Sequence, residues 1–442
     1  MMAALVAAHH GAAVVLLERD PGGPSNLLVS GGLFPGAGTR HQAELGIQDN
    51  AASFVKDARD KAGGIVDGPI LEAIAEQTAP AVHFLTDVAG LPIKMLPAIT
   101  APGHSVARLH ATPGESGRDL HARLRAVVAA HSRILQVADA EVTGLITAGS
   151  GPAAQRVTGV QARVAGGFRD FSARAVLLAT GGFAANRDLL AEHIPAMRDS
   201  LHIGAGANDG RAISLGQALG ADVAFMQGYQ GQGHVNPPQG RTRLGMTLPP
   251  QGAFLVNREG RRFVAEDIGP SELAAFVLAQ PGGVALEVFD MRIHNFAMSQ
   301  GPYREAFEAG HIRQADSAAG LARLFGISEA ALEAAFESFA LAVRTGHDPE
   351  LGRKRFGPQL QPPLLGAWVT GALAHTQGGL RVDTHARVVR RDGTVIDGLY
   401  AAGGAAASIS GVGGAGYLPG NGLAQSFGLA MLAGRHAAGS RR

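Results

Sequence analysis

The sequence predicts an α/β protein that is built on a sheet of buried strands and interrupted by a second domain of mixed helix and strand. Two observations predict the sheet. The chain opens with an apolar helix and a buried strand, and two later apolar runs of strand length end directly in glycine pairs. A third observation predicts the interruption, because the middle of the chain changes to a hairpin pattern followed by a long helical pattern.

The first elements have the order helix, turn, strand. Met1–His10 is apolar and predicts a helix that ends at Gly11, and Ala13–Leu17 predicts a buried strand before Glu18. This is the second half of a dinucleotide-binding βαβ unit, in which an acid at the strand end bonds a ribose hydroxyl. The first half, a strand with a G-x-G-x-x-G turn, does not precede it. We therefore expect the chain to begin inside the helix that follows this glycine turn. About 15–20 more residues would complete the unit, and we expect the chain to bind its cofactor poorly without them.

Two later strands carry the glycine pairs. Ala175–Ala179 runs into Gly181-Gly182 and a predicted helix, and Leu399–Ala402 runs into Gly403-Gly404. Small residues at the carboxyl end of a strand let a cofactor pass close to the backbone, although they also suit any tight strand-to-helix turn. Leu418–Ala438 adds a glycine-rich turn that enters a helix, whose N-terminus suits the negative end of a flavin ring. These turns together predict a nucleotide-binding sheet.

The middle of the chain predicts a separate domain. Phe254–Asp267 has the pattern of a strand, a turn and a second strand, and Ala315–Gly346 has apolar residues at helical spacing. We place an inserted domain at residues 223–365 and the nucleotide-binding domain at 1–222 and 366–442.

Composition excludes several classes of function. Charged residues make up 17% of the 442 residues and the formal net charge is +1, which argues against nucleic acid or an anionic membrane as the main partner. The chain contains no cysteine, so disulfides, thiolate metal sites, iron–sulfur clusters and a cysteine-linked flavin are excluded. No residue spacing predicts a metal site. The opening stretch fits neither a signal peptide nor a membrane span, and we expect a cytoplasmic enzyme.

The motifs, in this order, resemble the flavoprotein subunit family of fumarate reductase and succinate dehydrogenase. Relatives of that family include 3-ketosteroid dehydrogenases, tricarballylate dehydrogenase and urocanate reductase. The resemblance rests on LLERDPGGPS with SGG four residues later, on ATGGF, on ANDGRAISLGQALGA, on LVNREGRRFVAED, and on HTQGGLRVD followed by IDGLYAAGG. It implies a Rossmann-like FAD-binding domain with an inserted α+β capping domain, and an FAD-dependent oxidoreductase that acts on CH–CH groups. Noncovalent FAD is expected, because covalent forms of the family use a histidine in the serine-glycine loop and His41 lies beyond that loop.

The same resemblance implies which residues contact the cofactor. They come from the strand-end acid, the serine-glycine loop, the glycine turns, the A-N-D-G stretch and the start of the last helix. By number they are Glu18, Arg19, Ser25, Asn26, Ser30, Gly31, Gly32, Val142, Ala179, Thr180, Gly181, Asn208, Asp209, His375, Gly403, Gly404, Gly420, Asn421, Gly422 and Leu423.

The chain departs from the family at three positions. The arginine proton donor that follows the cap-domain acid is absent, and Pro270 stands at about its position. Tyr417 replaces the arginine of G-A-N-R-L-G-G-N, which clamps a substrate carboxylate, and Gly404 replaces the glutamate of A-A-G-E. We therefore expect a small, uncharged or monocarboxylate substrate rather than a dicarboxylate. The expected reaction forms or reduces a C–C double bond next to its carbonyl or carboxylate, with an unidentified electron acceptor or donor.

Two residues are the first candidates for this chemistry. The resemblance implies that His375 bonds the substrate or the flavin. Tyr417 has three possible roles: it donates a hydrogen bond to a substrate carbonyl, it acts as a base if its pKa is lowered, or it packs over the flavin ring.

Four further residues are candidates for substrate contact. Arg108 and His110 lie in HSVARLH, which resembles an R-x-H stretch near the active site of relatives. Arg108 either replaces the missing carboxylate clamp or is a solvated loop residue. Tyr229 and His234 fall where the family has a cap-domain histidine. Two other functions stay open: a tricarballylate- or ketosteroid-dehydrogenase-like enzyme with Arg108 as its anion clamp, and a non-catalytic nucleotide-binding relative.

Overall fold

The computed structural model describes residues 1–149, 151, 155–237, 242–245 and 247–439. The α-helices are α1 (Met2–His9), α2 (Asn26–Val29), α3 (Arg40–Glu44), α4 (Ala51–Lys61), α5 (Gly68–His83), α6 (Gly117–Ala130), α7 (Arg187–His193), α8 (Arg211–Gln217), α9 (Pro270–Leu278), α10 (Met291–Ala297), α11 (Gly301–Glu308), α12 (Ala318–Phe325), α13 (Glu329–Thr345) and α14 (Asn421–Gly439). The strands are β1 (Val14–Leu17), β2 (Phe34–Pro35), β3 (Lys94–Met95), β4 (Leu109–Ala111), β5 (Ile134–Val137), β6 (Glu141–Ala148), β7 (Arg156–Val164), β8 (Gly167–Ser172), β9 (Val176–Leu178), β10 (Leu201–His202), β11 (Val223–Ala224), β12 (Tyr229–Val235), β13 (Phe254–Val256), β14 (Val284–Asp290), β15 (Arg313–Ala315), β16 (Leu364–Thr376), β17 (Gly379–Leu380), β18 (Arg387–Val389) and β19 (Val395–Ala401).

The chain divides into two compact units. The first unit comprises Met1–Leu189, Gly204–Tyr229 and His375–Arg442, and the second comprises Leu190–Ile203 and Gln230–Ala374. Within the described residues, no helix combines the length and the apolar composition that crossing a bilayer requires.

The limits of these units differ from the predicted domain limits in three segments. Residues 190–203 belong to the second unit because β10 pairs in parallel with β16. Residues 366–374 belong there too, since they continue β16, which pairs with β14. Residues 223–229 belong to the first unit, where β11 pairs with β17. Each of these pairings joins segments that are far apart in the sequence, so the local pattern of residues does not show it.

The first unit is built around parallel strands, as the sequence predicts. β19 lies parallel to β9, and the antiparallel strands β6, β7 and β8 form a meander that joins this sheet through β7. β1 pairs in parallel with β5, so the predicted sheet is present as two separate ladders among the described strands. α14 packs on α1 and α5, where the missing side chains of Gly434 and Gly428 leave room for Val6 and Ile74.

The second unit has its own mixed sheet and its own core. Its strand order is β10-β16-β14-β13, with β12 and β15 also paired to β16. Every residue of β14 is buried, which is typical of a strand covered on both faces. Phe254 of β13 and Phe339 of α13 stack with their ring centroids 4.8 Å apart.

One predicted element of the second unit is wrong, and another is confirmed with a break inside it. The hairpin expected over Phe254–Asp267 is a single strand, β13, followed by a turn at Gly260 (φ +77°) and irregular chain that enters a set of buried ion pairs. The stretch Ala315–Gly346, which the sequence predicts to be helical, forms two helices, α12 and α13, because Gly326 adopts φ +67° and ends α12.

Four charged side chains form what we call the buried charge cluster: Arg262, Glu266, Asp348 and Arg353. Arg262 donates to the two Glu266 oxygens at 3.1 and 3.0 Å and to Asp348 at 2.8 Å, and Arg353 donates to Glu266 at 3.0 Å. Both guanidinium groups lie 4.9 Å from the centroid of the Phe339 ring. The two positive and two negative charges balance, so each has a countercharge in a place that excludes water.

Candidate functional site

The two glycine turns meet in the first unit. Because β9 and β19 are parallel neighbours, the turns that follow them leave the same edge of the sheet. A Cβ on Gly404 would lie 2.9 Å from the backbone nitrogen of Gly182, and a Cβ on Gly182 would clash with Thr376 Oγ1. The Thr376 hydroxyl also accepts a hydrogen bond from the backbone N–H of Phe183 at 3.0 Å. The turns are therefore locked to each other and to the end of β16.

The start of α14 lies against the second of these turns. Gln425 Nε2 donates to the carbonyl oxygens of Gly403 at 2.9 Å and Ala406 at 3.0 Å. Asn421 is fully buried in the first turn of α14, and its side-chain Oδ1 has no hydrogen-bond partner in the protein. The positive end of the helix and an orphaned amide oxygen thus lie together beside a glycine turn, which is a suitable place for a polar ligand edge.

The first turn of α14 also brings His375 and Tyr417 together. Their rings meet edge to face with centroids 5.7 Å apart. A Cβ on Gly422 would lie 3.7 Å from the His375 Nε2 and 3.8 Å from the Tyr417 hydroxyl oxygen. A base and a phenol therefore meet over a residue that has no side chain.

The surroundings determine the protonation states of these two groups. Burial lowers the pKa of His375, although a hydrogen bond to the Thr376 carbonyl acts against this. Because a carbonyl only accepts, Nδ1 carries the proton, and Nε2 of the neutral ring keeps its lone pair. Burial raises the pKa of Tyr417 to about 12, opposed by the backbone amides of Gly422 and Gly420. A raised pKa does not favour the role of Tyr417 as a base, which required a lowered one.

The serine-glycine loop uses its side chains internally. Ser25 caps α2 by accepting from the Leu28 amide, and the Ser30 hydroxyl accepts from the Gly32 amide. Asn26 Oδ1 accepts from the Ala205 amide at 2.8 Å and from the side chain of Asn208 at 3.1 Å. Gly31 is exposed and presents only its backbone. A Cβ on Gly420 would lie 2.9 Å from Pro35, so this loop runs close to the start of α14.

The strand-end acid and its neighbours lie at the edge of β1. Glu18 is exposed and accepts from the Asp20 amide at 3.0 Å. Arg19 donates to Asp209 at 2.7 Å and to a backbone carbonyl, so it is engaged within the protein. Asp209 also lines a surface cavity of about 460 Å³. Val142 is half-buried in β6.

The remaining predicted cofactor residues follow β9 or lie in the first turn of α14. Ala179 and Thr180, directly after β9, are exposed. Leu423 is half-buried in the first turn of α14. The backbone N–H of Leu423 donates to the Gly420 carbonyl at 3.0 Å.

Arg108 does not have the surroundings of an anion clamp. It is completely buried and donates to Asp49 at 3.0 and 3.1 Å, while its Nη1 lies 2.9 Å from Asp57. Neither interpretation of Arg108, a carboxylate clamp or a solvated loop residue, fits these surroundings, in which it forms a buried ion pair that joins three segments of the first unit. His110 is equally buried between Thr39 and the Arg108 carbonyl, and burial lowers its pKa to about 4.

Replacing Arg108 with methionine is expected to destabilise the protein by about 3–5 kcal/mol, because Asp49 and Asp57 lose their countercharge. Urea denaturation followed by circular dichroism measures this change in the free energy of unfolding. Arg123→Met is the control, since Arg123 forms an ion pair at the surface of α6, and its unfolding midpoint should stay near the wild-type value. An anion clamp would give the opposite pattern: a raised KM for anionic substrates with nearly unchanged stability.

The last two candidates lie in different units. Tyr229 belongs to the first unit, is 7% exposed, and donates its backbone N–H to the Gly413 carbonyl at 3.1 Å. His234 belongs to the second unit and is buried with Nδ1 2.9 Å from Glu287 Oε2. His41, the histidine considered above for a covalent link to the flavin, is half-buried, and its ring centroid lies 5.6 Å from that of His110.

Sequence reasoning missed a buried polar group of the second unit. His294 Nδ1 lies 2.9 Å from the Tyr303 hydroxyl, and Glu287 is completely buried in β14. One feature of the sequence could have indicated that Glu287 is a buried carboxylate, because it is the only charged residue in the otherwise apolar run VALEVF. Within the described part of the chain, no group of three or more histidine, cysteine, aspartate or glutamate side chains could hold a metal ion.

Comparisons with known proteins identify the family of this chain. A family model described as an FAD binding domain matches residues 1–423. A probable fumarate reductase, Ifc3, of Shewanella frigidimarina (strain NCIMB 400) is 27% identical over 449 residues, which cover 99% of this chain and 72% of that protein. The open conformation of a flavocytochrome c3 fumarate reductase matches with a TM-score of 0.84 and 27% identity, over 99% of this chain and 76% of that one.

A further solved structure matches along nearly all of both chains. It is the 3-ketosteroid-Δ4-(5α)-dehydrogenase of Rhodococcus jostii RHA1 in complex with 4-androstene-3,17-dione, with a TM-score of 0.76 and 25% identity over 99% of this chain and 94% of that one. The predicted fold class and the predicted cofactor, FAD, are confirmed. The chain belongs to the FAD binding domain family and is a flavin-dependent oxidoreductase that acts on CH–CH groups.

Proposed function

We propose that this oxidoreductase reduces or forms a C–C double bond next to an uncharged carbonyl in a small substrate. The observation that carries the proposal is the pair of side chains that meet over Gly422. His375 is a neutral imidazole and Tyr417 a neutral phenol at pH 7, because burial opposes the charged form of each. Arg108, the cation considered for binding a carboxylate, is already paired with two aspartates.

The cofactor would be held by backbone groups rather than by charged side chains. The glycine turns at Gly181 and Gly403, the exposed Gly31 and the first turn of α14 with Asn421 are the proposed contacts. The unpartnered Asn421 Oδ1 supports this assignment, because a buried acceptor needs a donor. Glu18 is the proposed ribose ligand at the end of β1. FAD, when bound, supplies or accepts the hydride.

The two side chains have complementary tasks in this proposal. In the direction of reduction, negative charge develops on the carbonyl oxygen, and the Tyr417 hydroxyl donates a hydrogen bond to it. Nε2 of His375, which is unprotonated in the neutral ring, first takes up a proton from solvent, and the imidazolium then gives that proton to the carbon next to the carbonyl. In the direction of dehydrogenation, the Nε2 lone pair removes that same proton.

The experiment compares two oxidants of the chemically reduced, FAD-loaded protein in an anaerobic stopped-flow instrument. We expect 2-cyclohexen-1-one, a neutral carbonyl compound, to reoxidise the flavin faster than fumarate, a dicarboxylate. Faster reoxidation by fumarate would show that the proposed substrate class is wrong. Crotonate, a monocarboxylate, tests an intermediate charge. 4-Androstene-3,17-dione, the ligand of the steroid dehydrogenase above, tests a larger neutral carbonyl compound.

The rate of reoxidation by 2-cyclohexen-1-one is expected to fall as the pH rises through a value below 6.5. The reason is that reduction needs protonated His375, and burial lowers the pKa of that group. Dehydrogenation needs the neutral ring and should show the opposite pH dependence. Stopped-flow rates between pH 5 and pH 9 measure the profile, and His375→Asn should flatten it. An unchanged profile in that variant would assign the proton to another group.

Two further properties stay proposals. We retain the cytoplasmic location expected from the sequence, which cell fractionation tests. The electron partner is proposed to be a diffusible small molecule or a protein carrier, and steady-state assays with NADH and with reduced viologen distinguish these.

A further inference from the structure

A histidine outside the proposed catalytic pair holds the loop that carries Tyr417. We call residues 417–420 the Tyr417 loop. His104 is 7% exposed, and its Nε2 lies 2.8 Å from the carbonyl oxygen of Pro419 in this loop. A carbonyl only accepts, so Nε2 is the donor. The other ring nitrogen, Nδ1, is buried without a partner, so this one hydrogen bond fixes the ring.

The segment that carries His104 is itself anchored on α4. The backbone N–H and the hydroxyl of Ser105 both donate to Asp57 at 2.8 Å. Asp57 also pairs with Arg108. Gly103 adopts φ +89° and packs so closely on the Tyr417 loop that a Cβ there would lie 2.8 Å from Leu418. His104 is therefore a rigid donor rather than a mobile one.

The hydrogen bond to the Pro419 carbonyl also constrains the backbone N–H of the next residue, Gly420. The Pro419 carbonyl and the Gly420 N–H belong to one planar peptide unit, in which they point in opposite directions. The Gly420 amide is one of the two backbone groups that act on the Tyr417 hydroxyl. A donor that fixes the carbonyl oxygen therefore fixes the direction of the N–H that the hydroxyl accepts.

We propose that His104 is a positioning residue that orients the Pro419–Gly420 peptide unit and, through it, the Tyr417 hydroxyl. The effect on catalysis rests on the proposed function, in which Tyr417 binds the substrate carbonyl. The effect on the position of Tyr417 does not, because it follows from the protein contacts alone.

The test labels the protein with 3-fluorotyrosine, since the chain has only four tyrosines and a 19F spectrum resolves so few signals. Tyr417→Phe assigns the Tyr417 signal. We expect His104→Phe, which removes the donor, to shift or broaden that signal, and His104→Gln, whose amide nitrogen can replace Nε2, to restore it. His436→Phe is the control, because His436 Nδ1 bonds the Tyr400 hydroxyl at 2.8 Å and should move the Tyr400 signal instead.

Activity provides the second measurement. With 2-cyclohexen-1-one, His104→Phe should lower kcat by about tenfold to a hundredfold with a smaller change in KM, and His104→Gln should recover most of it. An unmoved Tyr417 signal in His104→Phe would overturn the positioning role. A moved signal with unchanged kcat would leave that role standing and count against the proposed function of Tyr417.

A measurement on the unmodified protein covers the case in which His104→Phe does not fold. Hydrogen exchange monitored by NMR should show the Gly420 amide protected, since it is held against the Tyr417 hydroxyl. Exchange at the rate of an open loop would overturn the proposal without any variant. His104→Asn, which is too short to reach Pro419, should lose this protection.

Discussion

Replacing Tyr417 with phenylalanine is expected to slow reoxidation of the reduced flavin by 2-cyclohexen-1-one by about a hundredfold to a thousandfold, the usual effect of removing one donor to a developing oxyanion. The variant keeps the ring that packs against His375 and loses only the hydroxyl. The visible spectrum of bound FAD should therefore be preserved while the rate falls. Single-turnover stopped-flow kinetics measure the chemical step separately from cofactor binding.

Tyr400→Phe is the matched control for this prediction. Its hydroxyl bonds His436 rather than a residue of the proposed site, so the rate should stay near the wild-type value. A Tyr417→Phe variant as fast as wild type would exclude the hydroxyl from the reaction. It would then favour the remaining role considered for this residue, packing against the flavin ring.

Replacing Glu266 with glutamine is expected to reduce the free energy of unfolding of the second unit by about 3–5 kcal/mol, as for other buried ion pairs that lose one partner. Glu266 is the anion that Arg262 and Arg353 share, and its Oε1 also accepts from the Leu255 amide at 3.2 Å. The variant leaves two arginines with one carboxylate in a place that excludes water. Urea denaturation and the rate of limited proteolysis within residues 230–374 measure the loss.

Glu329→Gln provides the comparison at the surface. Glu329 pairs with Arg323 at 2.5 Å, but both side chains are about half exposed, so the change in stability should be much smaller. Equal effects of the two substitutions would contradict the argument that burial makes the Glu266 pair important.

This prediction also assigns a physical role to the motif LVNREGRRFVAED. Asn257 Oδ1 accepts from the Glu259 and Arg261 amides and closes the turn at Gly260. The chain then places Arg262 and Glu266 at i and i+4, where they meet in the buried charge cluster. In this chain, the motif builds the interior of the second unit.

The glycine turns and the last helix could be predicted from the sequence because their signals are local. A buried strand followed directly by glycines predicts where the backbone turns, and α14 begins at Asn421, directly after Gly420. The helix break at Gly326 was missed, since a single glycine inside a helical pattern does not by itself show a left-handed backbone.

The burial and the partners of Arg108 and His104 could not be predicted from the sequence. Both lie in the segment HSVARLH, and the residue types predict neither burial nor partners. The partners of Arg108, Asp49 and Asp57, lie near and within α4, and the partner of His104 is a backbone carbonyl near the other end of the chain. No local pattern records such contacts.

The sequence by itself determined the α/β class, the family and its cofactor, and the two side chains proposed for the chemistry. The reason is that backbone conformation follows from neighbouring residues and short motifs. Only the tertiary structure decided that Arg108 forms an internal ion pair, that burial raises the pKa of Tyr417, and that His375 and Tyr417 meet over Gly422. Burial and pairing depend on which distant segments exclude water together, and these quantities exist only once the chain is folded.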